Sequence, residues 1–277
     1  MLHRDSLGRK QTYGAQKRHG GNVAQWLVAG AGMLHEEMWD INHDEDGIVS
    51  KQELFQLWVN LPSDYKMAIP RVSLLNTSAS NDGAGGNDTT GASTEDANGE
   101  DESLHAPIIE TENVKTIVLV GEYANVRSNL ETYSPMSILH VQMQPNSSWS
   151  MEIPDAYKTG ILYMRTGSAT MPSENDNAAD AKMKQEIATH YTATLTPYGG
   201  TLQLDAGEDG ADFMLLVGAP LYEPLEARGS MVMNSMQEID VAYDDYQRGK
   251  MGLPWNQELT DEEWKEHVRR APSIYHR

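Results

Sequence analysis

The chain has 277 residues and no cysteine, so disulfides, thiolate metal sites and a cysteine nucleophile are excluded. Its 41 acidic residues against 21 basic ones give a formal net charge of −20, which disfavours direct binding to nucleic acids or anionic lipid surfaces. The first residues lack the apolar core of a secretory signal, and no apolar run approaches the roughly 18 residues that span a bilayer, so we expect a soluble protein.

Two strands are predicted over residues 25–38, on either side of an Ala-Gly-Ala-Gly turn. Alternate residues of a strand share a face, so His35 and Glu37 would point the same way, about 7 Å apart along the backbone. An imidazole and a carboxylate on one face of a barrel strand are half of a non-haem iron or manganese site. The same spacing is also common in solvated or hydrogen-bonded pairs.

Residues 42–53 also fit the loop of an EF-hand calcium site. The oxygen donors that fall at the required positions are Asn42, Asp44, Asp46, Ser50 and Glu53, with the carbonyl of Ile48 and the turn at Gly47. Apolar residues on both sides repeat at helical spacing, as this interpretation requires. Residues 53–61 alternate equally well as a strand that ends at Pro62, so periodicity leaves both interpretations open.

An acidic segment rich in Gly, Ser and Asn runs from Asn76 to His105, with no Lys, Arg or aromatic residue. It cannot bury enough apolar area to offset about 1–2 kcal/mol of backbone ordering per residue. We predict that it is a disordered insertion in the surface of the protein.

The second half of the chain reads as many short strands followed by helices. The predicted strands are 114–121, 137–143, 160–166, 192–196, 201–205 and 212–218, with a turn between the last two. Capping boxes at Ser235-x-x-Glu238 and Thr260-x-x-Glu263 predict two helices after them. Trp264 would lie on one side of the second helix. His140 alternates with core residues and is interpreted as a satisfied polar group.

Several motifs resemble the pirin family of two-domain cupins, in the order in which pirins carry them. They are H-R-D-S-L-G (3–8), Q-W-L-V-A-G-A-G-M-L-H-E-E-M (25–38), F-Q-L-W-V-N-L-P (55–62), G-A-P-L-Y-E-P-L (218–225) and G-S-M-V-M-N-S (229–235). The resemblance favours a strand over residues 53–61 and makes the acidic loop 40–52 an insertion in a hairpin.

The resemblance implies an all-β fold, a two-domain cupin of jelly-roll barrels with C-terminal helices. The domains expected from it are a partial first cupin (1–75), an acidic disordered linker (76–112), a second cupin (113–234) and C-terminal helices (235–277).

Pirins hold one iron in the first barrel through two His of an H-P-H-R-G-type motif, a third His and a Glu. The last two ligands correspond to His35 and Glu37, whereas no His-x-His occurs in these 277 residues. We therefore expect an N-terminally incomplete first barrel that is deficient in metal, with Glu37 as the candidate catalytic base.

The resemblance implies one of two functions for the iron site. One is a quercetin 2,3-dioxygenase that acts on a flavonol-like small molecule, and the other is an iron-dependent transcription co-regulator that binds a nuclear protein partner. We expect a monomer in the cytoplasm, the nucleus or both, with no direct contact to nucleic acid or membrane. The alternative outside the family is a calcium-binding protein that uses residues 42–53.

Overall fold

In the computed structural model, the regular secondary structure of the described residues is mostly β-strand. The structure describes residues 2–5, 10–12, 23–38, 47–48, 53–77, 104–171, 185–195, 199–252 and the single residues 260, 263 and 266. These residues contain eighteen strands and one α-helix, and no helix among them is both long and apolar enough to span a membrane.

The elements before the acidic segment are β1 (Leu2–Asp5), β2 (Lys10–Thr12), β3 (Val23–Val28), β4 (His35–Met38), a 3-10 helix (Ser63–Tyr65) and β5 (Arg71–Asn76). Those after it are β6 (Leu104–His105), β7 (Ile108–Glu110), β8 (Val114–Val120), β9 (Glu122–Tyr123), β10 (Val126–Arg127), β11 (Met136–Met143), β12 (Ser148–Ile153), β13 (Thr159–Met171), β14 (Gln185–Ala188), β15 (Thr192–Leu195), β16 (Gly200–Gly218), β17 (Glu226–Arg228), β18 (Met231–Met233) and α1 (Met236–Gln247).

The chain divides into two compact units. The first unit combines residues 1–72 with 222–277, and the second unit is 73–221. Residues 222–234, which the domain prediction places in the second cupin, group here with the first unit. The reason is a set of hydrogen bonds within that unit, in which the Glu223 carboxylate accepts from the backbone N–H of Ser63 at 2.7 Å.

The second unit is organised around β16, its longest strand. The C-terminal half of β16 pairs antiparallel with β11, while the N-terminal half pairs with β12. Strand β13 runs alongside both halves, and β8 and β7 continue the sheet beyond β11. Because long strands pass from one set of partners to another, the unit is a jelly roll, which confirms the predicted all-β cupin class.

The predicted turn between residues 205 and 212 is wrong, because β16 continues through it. Gly210 has φ = +78° and faces Gly167, with φ = +75°, on β13. A Cβ at Gly167 would lie 2.1 Å from the carbonyl oxygen of Gly210. The pairing register shifts at this point, so the glycines form a bulge that bends the strand instead of ending it.

The interior of the second unit is filled by one face of each long strand. Leu139 and Val141 of β11, Leu162 of β13 and Phe213 of β16 have no exposed surface. They belong to one apolar cluster that also includes Trp149. The alternation predicted for residues 137–143 is therefore confirmed, and it supplies the main hydrophobic stabilisation of this unit.

The first unit contains a three-stranded sheet in the order β2-β1-β4 and the hairpin β17–β18. The helix α1 begins at the predicted capping box: Ser235 Oγ accepts from the N–H of Glu238 at 3.3 Å, and the Glu238 carboxylate accepts from Asn234 N–H at 3.1 Å. The second predicted box is also formed, with Thr260 Oγ1 accepting from Glu263 N–H at 3.3 Å.

Residues 53–62 form neither a helix nor a paired strand. The strand that the family resemblance favours for this stretch is therefore not formed. The calcium interpretation requires a helix that begins in the same stretch, and that helix is not formed either. Leu54 and Trp58 are 54% and 65% exposed, so the apolar pattern that suggested a strand is not buried here.

Some predictions fall outside the described residues. They concern the disordered segment over 78–103, most of the acidic loop 40–52 and Trp264 of the second helix. The linker predicted over 76–112 does include the short strands β6 and β7, where Leu104 and His105 pair in parallel with Leu75 and Asn76.

Replacing Leu162 by Ala should lower the free energy of unfolding of the second unit by about 2–5 kcal/mol, because a fully buried side chain is lost and a cavity remains. The adjacent Ile161, which is 40% exposed, provides the control, and Ile161→Ala should cost less than about 1 kcal/mol. Urea unfolding followed by tryptophan fluorescence measures both. Equal losses would show that the alternation along β13 does not define the core.

Candidate functional site

Strand β4 carries both residues that the sequence suggested as metal ligands. Residues 35 and 37 are two apart on a paired strand, so they occupy the same side of the sheet in register. The antiparallel partner β1 places residue 5 opposite residue 35, and residue 3 opposite residue 37. The backbone therefore groups two histidines and two acidic residues, His3, Asp5, His35 and Glu37, at neighbouring positions.

A tight turn holds the start of β4 in place. Gly30 has φ = +49° and a Cβ there would lie 2.0 Å from the carbonyl oxygen of Ala68, so only glycine fits. The N–H of Ala31 donates to the same Ala68 oxygen at 2.9 Å, and Leu34 N–H donates to the Met251 carbonyl at 3.1 Å. These contacts within the first unit anchor the residues that lead into His35.

The described side chains supply only part of a metal site. His35 is exposed, and the side chain of Glu37 lies outside what the structure describes. Among the described residues no three His, Asp or Glu side chains are grouped closely enough to hold a metal ion. Imidazole and carboxylate donors suit non-haem iron in chemical type, so the residues of β4 fit such an ion as a partial ligand set.

The interior of the second unit has the opposite character. The buried polar residues described in this unit are Thr77, Thr116, Ser128, Ser134 and Ser137, and none of them ionises. The rest of the described interior is apolar. This packed apolar interior offers, among its described residues, neither ligand donors nor space for an ion.

A polar cluster lies on the other face of the second unit's sheet. Asp212 Oδ1 lies 2.8 Å from His140 Nε2 and 3.0 Å from Arg165 Nη1. Gln142 Nε2 donates to the second carboxylate oxygen at 3.1 Å. His140 is thus a satisfied polar group, as interpreted from its position between core residues. No local pattern indicates Arg165 or Asp212 as site residues, because their contact depends on strand pairing over long separations in the chain.

Asp212 is held in its ionised form by this cluster. Burial raises the pKa of its carboxyl, but the hydrogen bond and charge of His140, with help from Gln142 and Arg165, outweigh burial. The net result is a pKa below the ordinary aspartate value. A carboxylate so fully engaged with protein groups acts as a structural link between β11, β13 and β16.

A second buried charge lies in the first unit. Lys66 is 6% exposed, and its ammonium donates to the Asn60 side chain and, at 3.3 Å, to the Val232 carbonyl. Burial lowers the pKa of Lys66, while the charges of Glu223 and Glu238 oppose that shift. The lysine therefore ties residues 60–66 to the C-terminal part of the same unit.

Known proteins are similar to this chain in sequence over most of its length. The family model for the pirin C-terminal cupin domain matches residues 138–252. Pirin-1 of Arabidopsis thaliana is 28% identical over 255 residues, which are 91% of this chain and 72% of that protein. Human pirin is 27% identical over 254 residues, 91% of this chain and 71% of that protein. The chain is thus similar to pirins over most of its length, and residues 138–252 match the C-terminal cupin domain of that family.

A solved structure shows a similar fold. The crystal structure of a quercetin 2,3-dioxygenase from Acinetobacter baumannii is 27% identical, with a TM-score of 0.66. The match covers 91% of this chain and 72% of that chain. The matched part of the chain therefore includes residues of both units.

Changing Asp212 to Asn should cost about 1–3 kcal/mol of stability at pH 7, because the charge-assisted bonds to His140 and Arg165 are lost. The folded pKa lies below the unfolded one, so this stabilisation is complete above about pH 4 and is lost as pH falls through the folded value. The gap between wild type and variant should therefore shrink in acid.

Urea unfolding at pH 7 and at stepwise lower pH measures that gap. Asp209→Asn, on an exposed part of the same strand, is the control and should stay within about 0.5 kcal/mol of wild type. A gap for Asp212→Asn that grows on acidification would contradict the assignment.

Proposed function

We propose that this protein is a metal-dependent dioxygenase of the quercetin 2,3-dioxygenase type, acting on a flavonol-like small molecule. The observation that supports the proposal is the register of β4, in which residues 35 and 37 are two positions apart on one paired strand. The 27% identity to a quercetin 2,3-dioxygenase over most of the chain supports the reaction class.

In this proposal His35 and Glu37 hold a non-haem iron. Two protein donors hold iron weakly, so the chain is expected to be metal-poor unless iron is supplied. His3 and Asp5 lie opposite in register, yet His3 corresponds to a non-ligand position in pirins, so neither is included in the ligand set. Iron, when bound, supplies Lewis acidity and the redox chemistry toward dioxygen.

The protein residues have separate roles in this proposal. Glu37 accepts the proton of the flavonol hydroxyl, since a carboxylate is a competent general base within hydrogen-bond reach of such a group. His35 supplies the imidazole donor of the site. The turn at Gly30 and Gly32 fixes the strand that carries both, through its hydrogen bonds to Ala68 and Met251.

The calcium alternative receives no support from the described residues. Residues 35–38 before the loop are a strand, and residues 53–62 after it are not helical, whereas an EF-hand needs a helix on each side. We also propose that the protein is a monomer located in the cytoplasm or the nucleus.

The test is oxygen uptake by the full chain with added Fe(II) and quercetin, together with iron content by mass spectrometry. Wild type should consume oxygen only when both iron and flavonol are present. His35→Ala should lower bound iron and turnover by more than about tenfold, because a ligand is removed. His190→Ala, which removes an imidazole from the second unit, should leave both within about twofold of wild type.

Two results would contradict the proposal in different ways. Iron that binds through His35 without any flavonol-dependent oxygen uptake would reject the enzyme and favour the metal-dependent co-regulator. Iron binding that is indifferent to His35→Ala would reject the site itself.

A further inference from the structure

A small cavity lies at one edge of the second unit. Among the described strands, β7 and β12 each pair on one side only, and the cavity opens between them. Its volume is about 200 Å³. Its lining includes Ile109, Val114, Thr116, Tyr123, Trp149 and Ser150. None of the lining residues belongs to the polar cluster around Asp212.

Two aromatic rings form one wall of the cavity. Tyr123 and Trp149 are stacked, with ring centroids 5.4 Å apart and planes 18° from parallel. Trp149 is fixed from behind, because Phe213 meets it edge-on at 5.6 Å and its indole N–H donates to Thr116 Oγ1 at 3.1 Å. This wall is rigid, and because Trp149 is only 4% exposed, the aromatic surface open to a further ring is mainly that of Tyr123.

The backbone holds Tyr123 in position independently of any ligand. Tyr123 ends β9, and the turn to β10 has Ala124 and Asn125 at φ = 50° and 62°. Gly121, before β9, has φ = +77°, and a Cβ there would lie 2.0 Å from the Met136 carbonyl oxygen. The hairpin is therefore docked closely on the sheet, and the cavity wall is preformed.

The hydrogen-bonding groups at the wall are partly committed to the protein. The Tyr123 hydroxyl donates to the Ser150 carbonyl at 3.2 Å, and its oxygen accepts from the Thr116 hydroxyl, so its proton and one lone pair are used while the second lone pair remains. In a strand the N–H and C=O of one residue point to the same side, so the N–H of Ser150 lies on that edge too. The edge can thus accept one hydrogen bond and donate another.

The cavity is suited to a neutral ligand. Of its eight lining residues in the described chain, Tyr123 is the one that titrates, and burial raises the pKa of its hydroxyl. An anion or cation would lose its hydration with no opposite charge to replace it. The net charge of −20 further disfavours anions.

The volume sets the size of the ligand. A cavity of about 150 Å³ in another protein binds benzene, so one of about 200 Å³ takes a single ring with a small substituent. Sites for three-ring molecules are usually larger, about 300 Å³ or more. A whole flavonol would therefore not fit.

We propose that this cavity is a binding site for neutral single-ring phenols. The ring packs against Tyr123 and Trp149, and Ile109 and Val114 cover its other side. The ligand hydroxyl accepts from the N–H of Ser150 and donates to the Tyr123 oxygen. This site is independent of the proposed dioxygenase activity, since all its lining residues belong to the second unit.

The test is a titration of the full chain with 4-fluorophenol, followed by fluorine NMR. Saturable binding at one site is expected, with Kd on the order of 1 mM for so small a ligand. Fluorobenzene, which lacks the hydroxyl, should bind about fivefold more weakly. The anion 4-fluorobenzoate should show no saturable binding at the same concentrations.

Variants locate the binding. Val114→Phe and Ile109→Phe each fill the cavity and should weaken 4-fluorophenol binding at least about tenfold. Val241→Phe makes the same change at a position on α1 that is 61% exposed, and should leave Kd unchanged. Tyr123→Phe should remove the preference for 4-fluorophenol over fluorobenzene, while thermal unfolding shows that the variant is folded.

Three outcomes would overturn the proposal. The first is the absence of saturation by wild type up to about 20 mM 4-fluorophenol. The second is a folded Tyr123→Phe variant that still binds 4-fluorophenol more tightly than fluorobenzene. This result would decide the question even if the cavity-filling variants did not fold. The third is binding of 4-fluorobenzoate as tight as that of 4-fluorophenol.

Discussion

The alternation of side chains along a paired strand is the constraint on which both units depend. In the second unit it sends Leu139, Leu162 and Phe213 inward and leaves His140 and Asp212 on the other face. In the first unit it keeps residues 35 and 37 on one side of β4. A shift of one residue would expose the core of one unit and move residues 35 and 37 of the other together to the opposite face of the sheet.

The two units use that constraint for different purposes. In the second unit nearly all inward positions described are apolar. Their packing stabilises the jelly roll but leaves no set of metal-ligand donors among the described residues inside it. Its polar residues form links between strands, as Asp212 does, or line a cavity at the sheet edge, as Thr116 does. The first unit places an imidazole and a carboxylate on a strand, and the proposed redox chemistry is assigned there.

Local signals in the sequence predicted the parts of the fold that are decided locally. The strand β11 and the capping box at Ser235 follow from alternation and from side-chain reach over three residues. The glycines near residue 210 led to the wrong prediction of a turn. Turns and bulges both use glycine, and only the facing Gly167 distinguishes the two. Asp212 and Arg165 were not foreseen, because 47 residues separate them in the chain.

Residues 53–62 show a related limit: an alternating pattern forms a strand only where the stretch joins a sheet, and this stretch is neither strand nor helix. Residues 222–234 group with the first unit through contacts of Glu223 and Lys66 over more than 150 residues of chain, which no local pattern indicates. For the candidate site, the family motif identified the strand that carries it, whereas the ligand set stays a proposal.

The central claim is that the imidazole of His35 binds the metal from strand β4. Electron spin-echo spectroscopy of the chain loaded with Mn²⁺, a paramagnetic substitute for Fe²⁺, tests it directly through the coupling of a bound imidazole nitrogen to the metal electrons. The account predicts a nitrogen modulation in wild type that disappears in His35→Ala. A wild-type spectrum without nitrogen coupling, or a coupling that survives His35→Ala, would contradict it.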